Sequence, residues 1–374
     1  MTRPPVLLTP GPLTTSDETK RAMLVDWGSW DSDFRALTAE VRRHLLAIAG
    51  GTPEHAVVLM QGSGTFAVEA AIGTLVPQDG KLLVLVNGSY GRRMAKLTRQ
   101  MGCALALLEV AEDQPITGRA VSQALATDAE ITHVGVIHCE TSTGILNPLT
   151  EIAAAVQAAG RALIVDAMSS FGALPLDISA LPAVAVIASA NKCLEGVPGL
   201  GFVVTETAAL TAAAGNSPSL SLDLTDQWRY MEETGQFRFT PPTHVVAALA
   251  QALRDYADEG GRVARQRRYQ RNCAVLVDGM AGLGFVPLLP AALQAPIIVT
   301  FHAPRDPAYR FDALYQALKR RGFIIYPGKT TEVESFRIGC IGHFDETVMR
   351  EVVEAVAGAI SELGLHDLGP AVAS

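Results

Sequence analysis

The apolar positions of this chain follow two periods in alternation. Short runs rich in Val, Ile and Leu recur at AVVLM (56–60), LLVLV (82–86), THVGVIH (132–138), ALIVD (162–166), VAVIA (184–188) and GLGFVVT (199–205). Between several of them the spacing changes to the three-and-four pattern of a helix. Phe34, Leu37, Val41, Leu45 and Ile48 predict one helix over about 33–48, and a shorter one is expected over 17–24 with Thr14, Thr15 or Ser16 as its cap. Strands alternating with helices predict an α/β chain with a mainly parallel sheet covered on both faces. In such sheets ligands sit beyond the carboxyl ends of the strands. Polar clusters stand at those ends: Ser63–Thr65, Tyr90, Glu140–Thr143, Asp166 and Asn191–Lys192.

The last third repeats the theme on a smaller scale. A strand at 296–302, a helix at about 309–321, IIYPGK, a strand SFRIG (335–339) and a final helix capped by Asp345 predict a second domain. We expect an arm over 1–15, a large domain over 16–258 and a small one over 259–374. The segment 215–243 is weakly periodic and reads as a long excursion, at an interface. The basic run RVARQRRYQRN (262–272) reads as a solvated helix face. The last residues, GPAVAS, are expected to fray.

Composition narrows the classes. At 374 residues the chain exceeds the size of one usual core. Hydrophobic residues make up 49% and charged residues 18%, with a formal net charge of −8 and no block of like charge. That argues against a nucleic-acid partner. No apolar run reaches membrane-spanning length, and MTRPPVLLTPGPL lacks the apolar stretch of a secretory signal. Five scattered cysteines without a CxxC pair predict a reduced, cytoplasmic protein with no structural metal.

The chemistry centres on AVAVIASANKCLEGVPGLGFV (183–203), where Lys192 follows a buried strand and precedes a glycine-rich segment. An amine there is useful if burial lowers its pKa or if an aldehyde consumes it; otherwise it is an ordinary loop lysine. Asp166 ends a neighbouring predicted strand, and a buried carboxylate needs a partner. Backbone amides or a protonated pyridine nitrogen would serve. The turn QGSGTF before a helix presents amides suited to a phosphate, with Ser63, Gly64 and Thr65 as holders. Tyr90 offers a ring for stacking or is a plain turn tyrosine. Trp27 and Trp30 either line a pocket or pin their loop to the core.

In this order LLTPGPLTTS, DWGSWDSDF, QGSGTFAVEA, HCETSTGILNPL, DAMSSFGALPLD, SANKCLEGVPG and SFRIGCIG resemble the blocks of class V, fold-type I aminotransferases that use pyridoxal 5'-phosphate (PLP). Within that class the chain most resembles the 2-aminoethylphosphonate:pyruvate aminotransferases, chiefly through its first two blocks. The resemblance implies transfer of the amino group of 2-aminoethylphosphonate to pyruvate, giving phosphonoacetaldehyde and L-alanine. It implies that Lys192 bonds covalently to the cofactor and that Asp166 faces its pyridine nitrogen. Ser63, Gly64, Thr65 and Asn191 would hold the phosphate, Tyr90 would stack on the ring, and Thr141 would lie near the cofactor's hydroxyl. Arg337 would grip the acid group of the substrate, with Gly28 and Ser29 nearby. Thr240 would reach the cofactor phosphate of a second subunit, which implies a homodimer with shared sites. Phe237 stands where some relatives carry a phosphate-binding tyrosine, and it cannot make that bond.

Three rivals follow from the same residues. Another class V transaminase would pair alanine or serine with glyoxylate. A cysteine desulfurase would need a nucleophilic cysteine on a loop near the site; the segment just before Arg337 holds none, and Cys193 is expected to point away. A PLP-binding regulator would need no catalytic lysine.

Overall fold

A computed structural model describes residues 4–331 and 333–370, so 371–374, within the GPAVAS end expected to fray, lie outside the described residues. Along the chain the strands are β1 (Val6–Leu7), β2 (His55–Gln61), β3 (Lys81–Val86), β4 (Ala104–Glu109), β5 (Ile131–Ile137), β6 (Cys139–Glu140), β7 (Ile145–Leu146), β8 (Ala162–Asp166), β9 (Ala185–Ser189) and β10 (Leu200–Glu206). The C-terminal third adds β11 (Ile298–His302), β12 (Phe323–Ile324), β13 (Tyr326–Pro327) and β14 (Ser335–Gly339).

Seven of these form the main sheet in the order β2-β10-β9-β8-β5-β3-β4. The pairings are parallel except for β10, which runs antiparallel to both β2 and β9. Its side chains are buried on both faces, so its sequence reads like its parallel neighbours and hides its direction. Helices cover both faces. On one, Phe34, Leu37, Val41 and Leu45 of the helix Ser32–Ile48 pack into a cluster with Val57, Leu83, Val134 and Val165. On the other, the helix Gly64–Leu75 joins Val58, Val84, Ile164 and Ile187.

The C-terminal strands form a separate three-stranded antiparallel sheet, β11-β14-β13. It packs against the helices Gly261–Leu283 and Glu346–Leu363, the second capped by Asp345, whose side chain accepts from the Thr347 amide. The N-terminal arm joins this second core: β1 pairs with β12, and Val6 and Leu8 are buried in its apolar cluster. Ser16 takes the cap of the next helix, Asp17–Arg21.

Three expectations change. β4 escapes the sequence pattern because it is an edge strand, with Ala104, Leu107 and Glu109 exposed. The weakly periodic excursion contains a helix, Leu224–Thr234, capped by Asp223 and stopped by Gly235 in the left-handed region. The basic run is not a wholly solvated face. Arg265 is 1% exposed, and it reaches Glu259 at 2.6 Å, while Arg268 reaches Glu195 at 2.8 Å. One counter-charge, Glu259, stands just before the run, and the other, Glu195, comes from far along the chain.

Candidate active site

The strand ends bring the candidate residues together. β8 and β9 are adjacent and parallel, with Asp166 opposite Ile187, so Asp166 and the Lys192 turn emerge side by side. They open onto a cavity of about 190 Å³ that is also bounded by Ser63, Gly64, Thr65, Tyr90, Arg93, Met168, Ser189 and Asn191. The arm closes one side. Gly11, with φ +113°, lies so close that a Cβ would stand 2.7 Å from the Asn191 carbonyl oxygen.

Lys192 is buried and its amine donates to the Pro10 carbonyl. Burial pushes its pKa down to about 8, while the neighbouring Cys193 and Asp166 oppose that shift and Arg337 adds to it. Asp166 is buried as well. Its Oδ1 accepts from the Met168 amide at 2.9 Å, and burial pushes its pKa up to about 7. No cation pairs with it within ion-pair distance among the described residues. A carboxylate held this way has room for a cationic ligand atom.

The turn before the helix Gly64–Leu75 has the form of an anion cradle. Ser63 caps the helix in extended geometry, yet its hydroxyl makes no capping bond. Gly64 is required there, because a Cβ would meet the Met168 sulfur at 2.5 Å. Free amides, a free hydroxyl and the helix dipole all favour a phosphate. Tyr90 opens the helix Ser89–Gln100, and the Arg93 guanidinium lies 4.8 Å from its ring centroid. Arg93 also reaches the Thr65 hydroxyl at 3.3 Å. An acid edge, an amine, an aromatic ring and an anion cradle around one cavity match the parts of PLP.

Arg337 stands on the central strand of the small sheet, opposite Thr300 and Tyr326. It is 1% exposed, and its Nε and Nη1 donate to the carbonyls of Pro327 and Thr141, each at 3.0 Å. It meets no carboxylate among the described residues, so the surface ion pair that a strand arginine usually makes is not its role. Thr141 shares a 2.6 Å hydroxyl contact with Ser169 beside this carbonyl.

Other candidates lie apart. Gly28 is exposed and Ser29 half-buried on a turn outside the cavity lining, Trp30 is 76% exposed, and Trp27 packs on Phe34 with ring centroids 6.4 Å apart. Of the two readings of the indoles, pinning holds for Trp27. Thr240 is exposed, and Phe237 is buried in the main apolar core.

Glu140 was placed at a strand end by the sequence but given no role, and other residues were not singled out at all. Glu140 accepts from the amides of Tyr90, Gly91 and Ser142 and from the Ser142 hydroxyl, which fixes the start of the Tyr90 helix. Arg93 follows Tyr90 by three positions, one helical turn, and that spacing was a usable signal. Pro10 and Gly11 carried no local signal.

Glu195 is the least expected. It holds φ +59°, and its buried carboxylate accepts from the Tyr269 hydroxyl at 2.6 Å and from Arg268. Arg265 donates to the Cys193 carbonyl, so both arginines clamp the lysine turn. Burial opposes ionisation of Glu195, but the two arginines, His343 and Tyr269 hold its pKa down at about 2. Glu195→Ala is expected to cost about 3–5 kcal/mol of stability, read from urea unfolding at neutral pH. Because the folded value lies below the unfolded one, this contribution is full above the ordinary carboxylate range and fades as pH falls towards 2. A difference between variant and parent that did not shrink in acid would contradict it.

The sequence comparisons agree with this geometry. The family description Aminotransferase class-V matches residues 27–336. The chain belongs to the class V aminotransferases. A protein of Pseudomonas entomophila named 2-aminoethylphosphonate–pyruvate transaminase is 60% identical over 98% of this chain and 100% of its own. One of the same name from Pseudomonas aeruginosa is 61% identical over 98% of this chain and 99% of its own. Among solved structures, a pyridoxamine-pyruvate aminotransferase of Mesorhizobium loti superposes with a TM-score of 0.89 at 26% identity, covering 98% of this chain and 94% of the other. The class V aminotransferase therefore has the fold-type I architecture, and its cofactor is PLP.

Proposed function

We propose that this aminotransferase moves the amino group of 2-aminoethylphosphonate to pyruvate, giving phosphonoacetaldehyde and L-alanine. The observation that carries the reading is the buried, carboxylate-free Arg337 beside the Lys192–Asp166 cavity, together with the name shared by relatives at 60% and 61% identity. A guanidinium fork suits both acid groups in turn, the phosphonate of the donor and the carboxylate of the acceptor.

When bound, PLP supplies the electron sink for the carbanion formed at the amine-bearing carbon. The protein does the rest. Lys192 would hold the cofactor covalently, and its amine, when neutral, would move the proton of the substrate carbon. Asp166 would face the pyridine nitrogen as a carboxylate and favour its protonated form. Ser63, Gly64, Thr65 and Asn191 would hold the phosphate, Tyr90 would pack against the ring and Thr141 would lie near its hydroxyl.

The pKa of Lys192 has a consequence for loading. Apo-protein is expected to capture PLP covalently at a rate that rises with pH through about 8 and then levels, as the amine becomes neutral. Stopped-flow absorption checks this, and a rate still climbing near the pKa of an ordinary lysine would contradict it.

The same reading makes the enzyme a cytoplasmic homodimer. Its support is the exposure of the large apolar side chains Leu24, Trp30, Phe66, Leu220 and Phe239, together with that of Thr240 and Gly28. In a dimer Thr240 would serve the partner's phosphate, and the 26–34 turn would wall the substrate. Sedimentation is expected to give twice the chain mass, and a monomer that is fully active would refute the shared site. The division into an arm over 1–15, a large domain over 16–258 and a small one over 259–374 is supported by the two separate apolar clusters and by Gly260, which turns the chain between two long helices. Among the described residues no helix is long and apolar enough to cross a membrane.

The test is product formation over a panel of amine donors with pyruvate and glyoxylate as acceptors. 2-Aminoethylphosphonate with pyruvate is expected to dominate. Turnover only of alanine or serine with glyoxylate would replace this reading with the neighbouring class V activity.

A further inference from the structure

We infer that Lys329 is a specificity-determining residue that engages the third oxygen of the tetrahedral acid group of the amine donor, once Arg337 holds the other two. This rests on the proposed transamination of an aminophosphonate and deepens it. Lys329 follows β13, the strand that flanks Arg337 in the small sheet. Its carbonyl accepts from the Ser89 hydroxyl at 3.3 Å, which ties it to the start of the Tyr90 helix. Its Nζ lies 5.2 Å from the centroid of the Tyr90 ring. Arg93 approaches the same ring, and the charge of Arg337 bears on the same tyrosine.

Two cations thus lie against Tyr90, a side chain of the cavity wall, and the charge of a third, Arg337, bears on it. None of them meets a carboxylate within ion-pair distance among the described residues. Glu140 lies near, but amides and the Ser142 hydroxyl already occupy its oxygens. Like charges held together without counter-ions mark a place built for anions. Two anions must be shared out. Arg93 touches Thr65 in the phosphate turn, so it belongs with the cofactor phosphate. Arg337 and Lys329 remain for the substrate.

Their chemistry divides the two substrates. A carboxylate carries one charge and two oxygens, which a guanidinium fork can satisfy alone. A phosphonate carries up to two charges and three oxygens. Arg337 already spends Nε and Nη1 on backbone carbonyls, which limits what it can offer a third oxygen. An ammonium on a flexible stem is a point charge that can swing to it. Lys329 is exposed beside Tyr90, so it can swing to an entering substrate and withdraw when pyruvate replaces it.

The test compares the two half-reactions in single turnover, with holoenzyme of parent, Lys329→Met and Lys329→Arg. In Lys329→Met the half-saturating concentration of 2-aminoethylphosphonate is expected to rise about tenfold or more, as for loss of a charge-assisted hydrogen bond. For L-alanine it should stay within about twofold, which also shows that the variant is folded and loaded. Lys329→Arg should restore most of the loss. Equal changes for both amines, or no change for either, would overturn the assignment. Parent enzyme that fails to react with 2-aminoethylphosphonate at all would instead overturn the proposed function, so the two failures are distinct.

Discussion

Lys192→Ala leaves transamination slower than the parent by about a thousandfold or more, and the purified variant lacks the covalent cofactor. Two losses combine. The amine that joins PLP is gone, and so is the group that carries the proton between carbons. No other lysine can substitute, because among the described residues Lys192 is the lysine that lines the cavity. Asn191 and Ser189 are close, but neither is a base near neutral pH. The variant should fold, since the segment is held by backbone bonds from Glu195 to Lys192 and from Gly196 to Ala190, each 2.8 Å, rather than by the ammonium. Rapid-quench measurement of both half-reactions checks the rate, and mass spectrometry after hydride reduction checks the attachment. A variant that kept the parental rate would remove Lys192 from the mechanism.

Asp166→Asn lowers kcat by about a hundredfold to a thousandfold while changing KM much less. The carboxylate and the amide have nearly the same shape, and the Met168 amide can still donate to the remaining oxygen. Only the charge is lost. A neutral amide does not hold the pyridine nitrogen protonated, so the ring withdraws electrons less strongly when the substrate carbon loses its proton. That loss acts on the transition state, not on substrate binding.

The same substitution has an opposite effect on the protein without cofactor. Burial raises the Asp166 pKa to about 7, above its unfolded value. The folded state therefore binds more protons across that window, and stability falls as pH rises from the ordinary carboxylate range to about 7. Apo Asp166→Asn has no such slope and should be the more stable form above pH 7. PLP should narrow the gap by giving the parent carboxylate its cation. Melting curves of apo and holo forms at several pH values separate these outcomes, and identical slopes in parent and variant would contradict the account.

The α/β fold class was legible in the sequence, and so was the meeting of Asp166 and Lys192 at adjacent strand ends. Asp166 and Lys192 were legible because each follows a buried run of branched residues, and such strands place their carboxyl ends together. Arg337 was legible as a strand residue, but its lack of a counter-charge was not. That depends on β13 and the turn after β6 supplying the carbonyls of Pro327 and Thr141 instead of acids. The direction of β10 was hidden because burial on both faces removes the alternation that marks an antiparallel strand. An arm was expected over 1–15, yet nothing local tells that Pro10 would meet Lys192 across 182 positions. The basic helix misled for the same reason: Glu195 lies about seventy residues before Arg265, and only the fold joins them.

The central claim is that one site takes an amine from a phosphonate donor and gives it to a keto acid in two separate steps. The most direct measurement adds 2-aminoethylphosphonate alone to holoenzyme and follows the visible absorption of the bound cofactor. The account predicts that the colour disappears as phosphonoacetaldehyde forms, about one per active site, and returns when pyruvate is added, with alanine released. A spectrum that stays unchanged with the phosphonate, or fades without recovery on adding pyruvate, would contradict it.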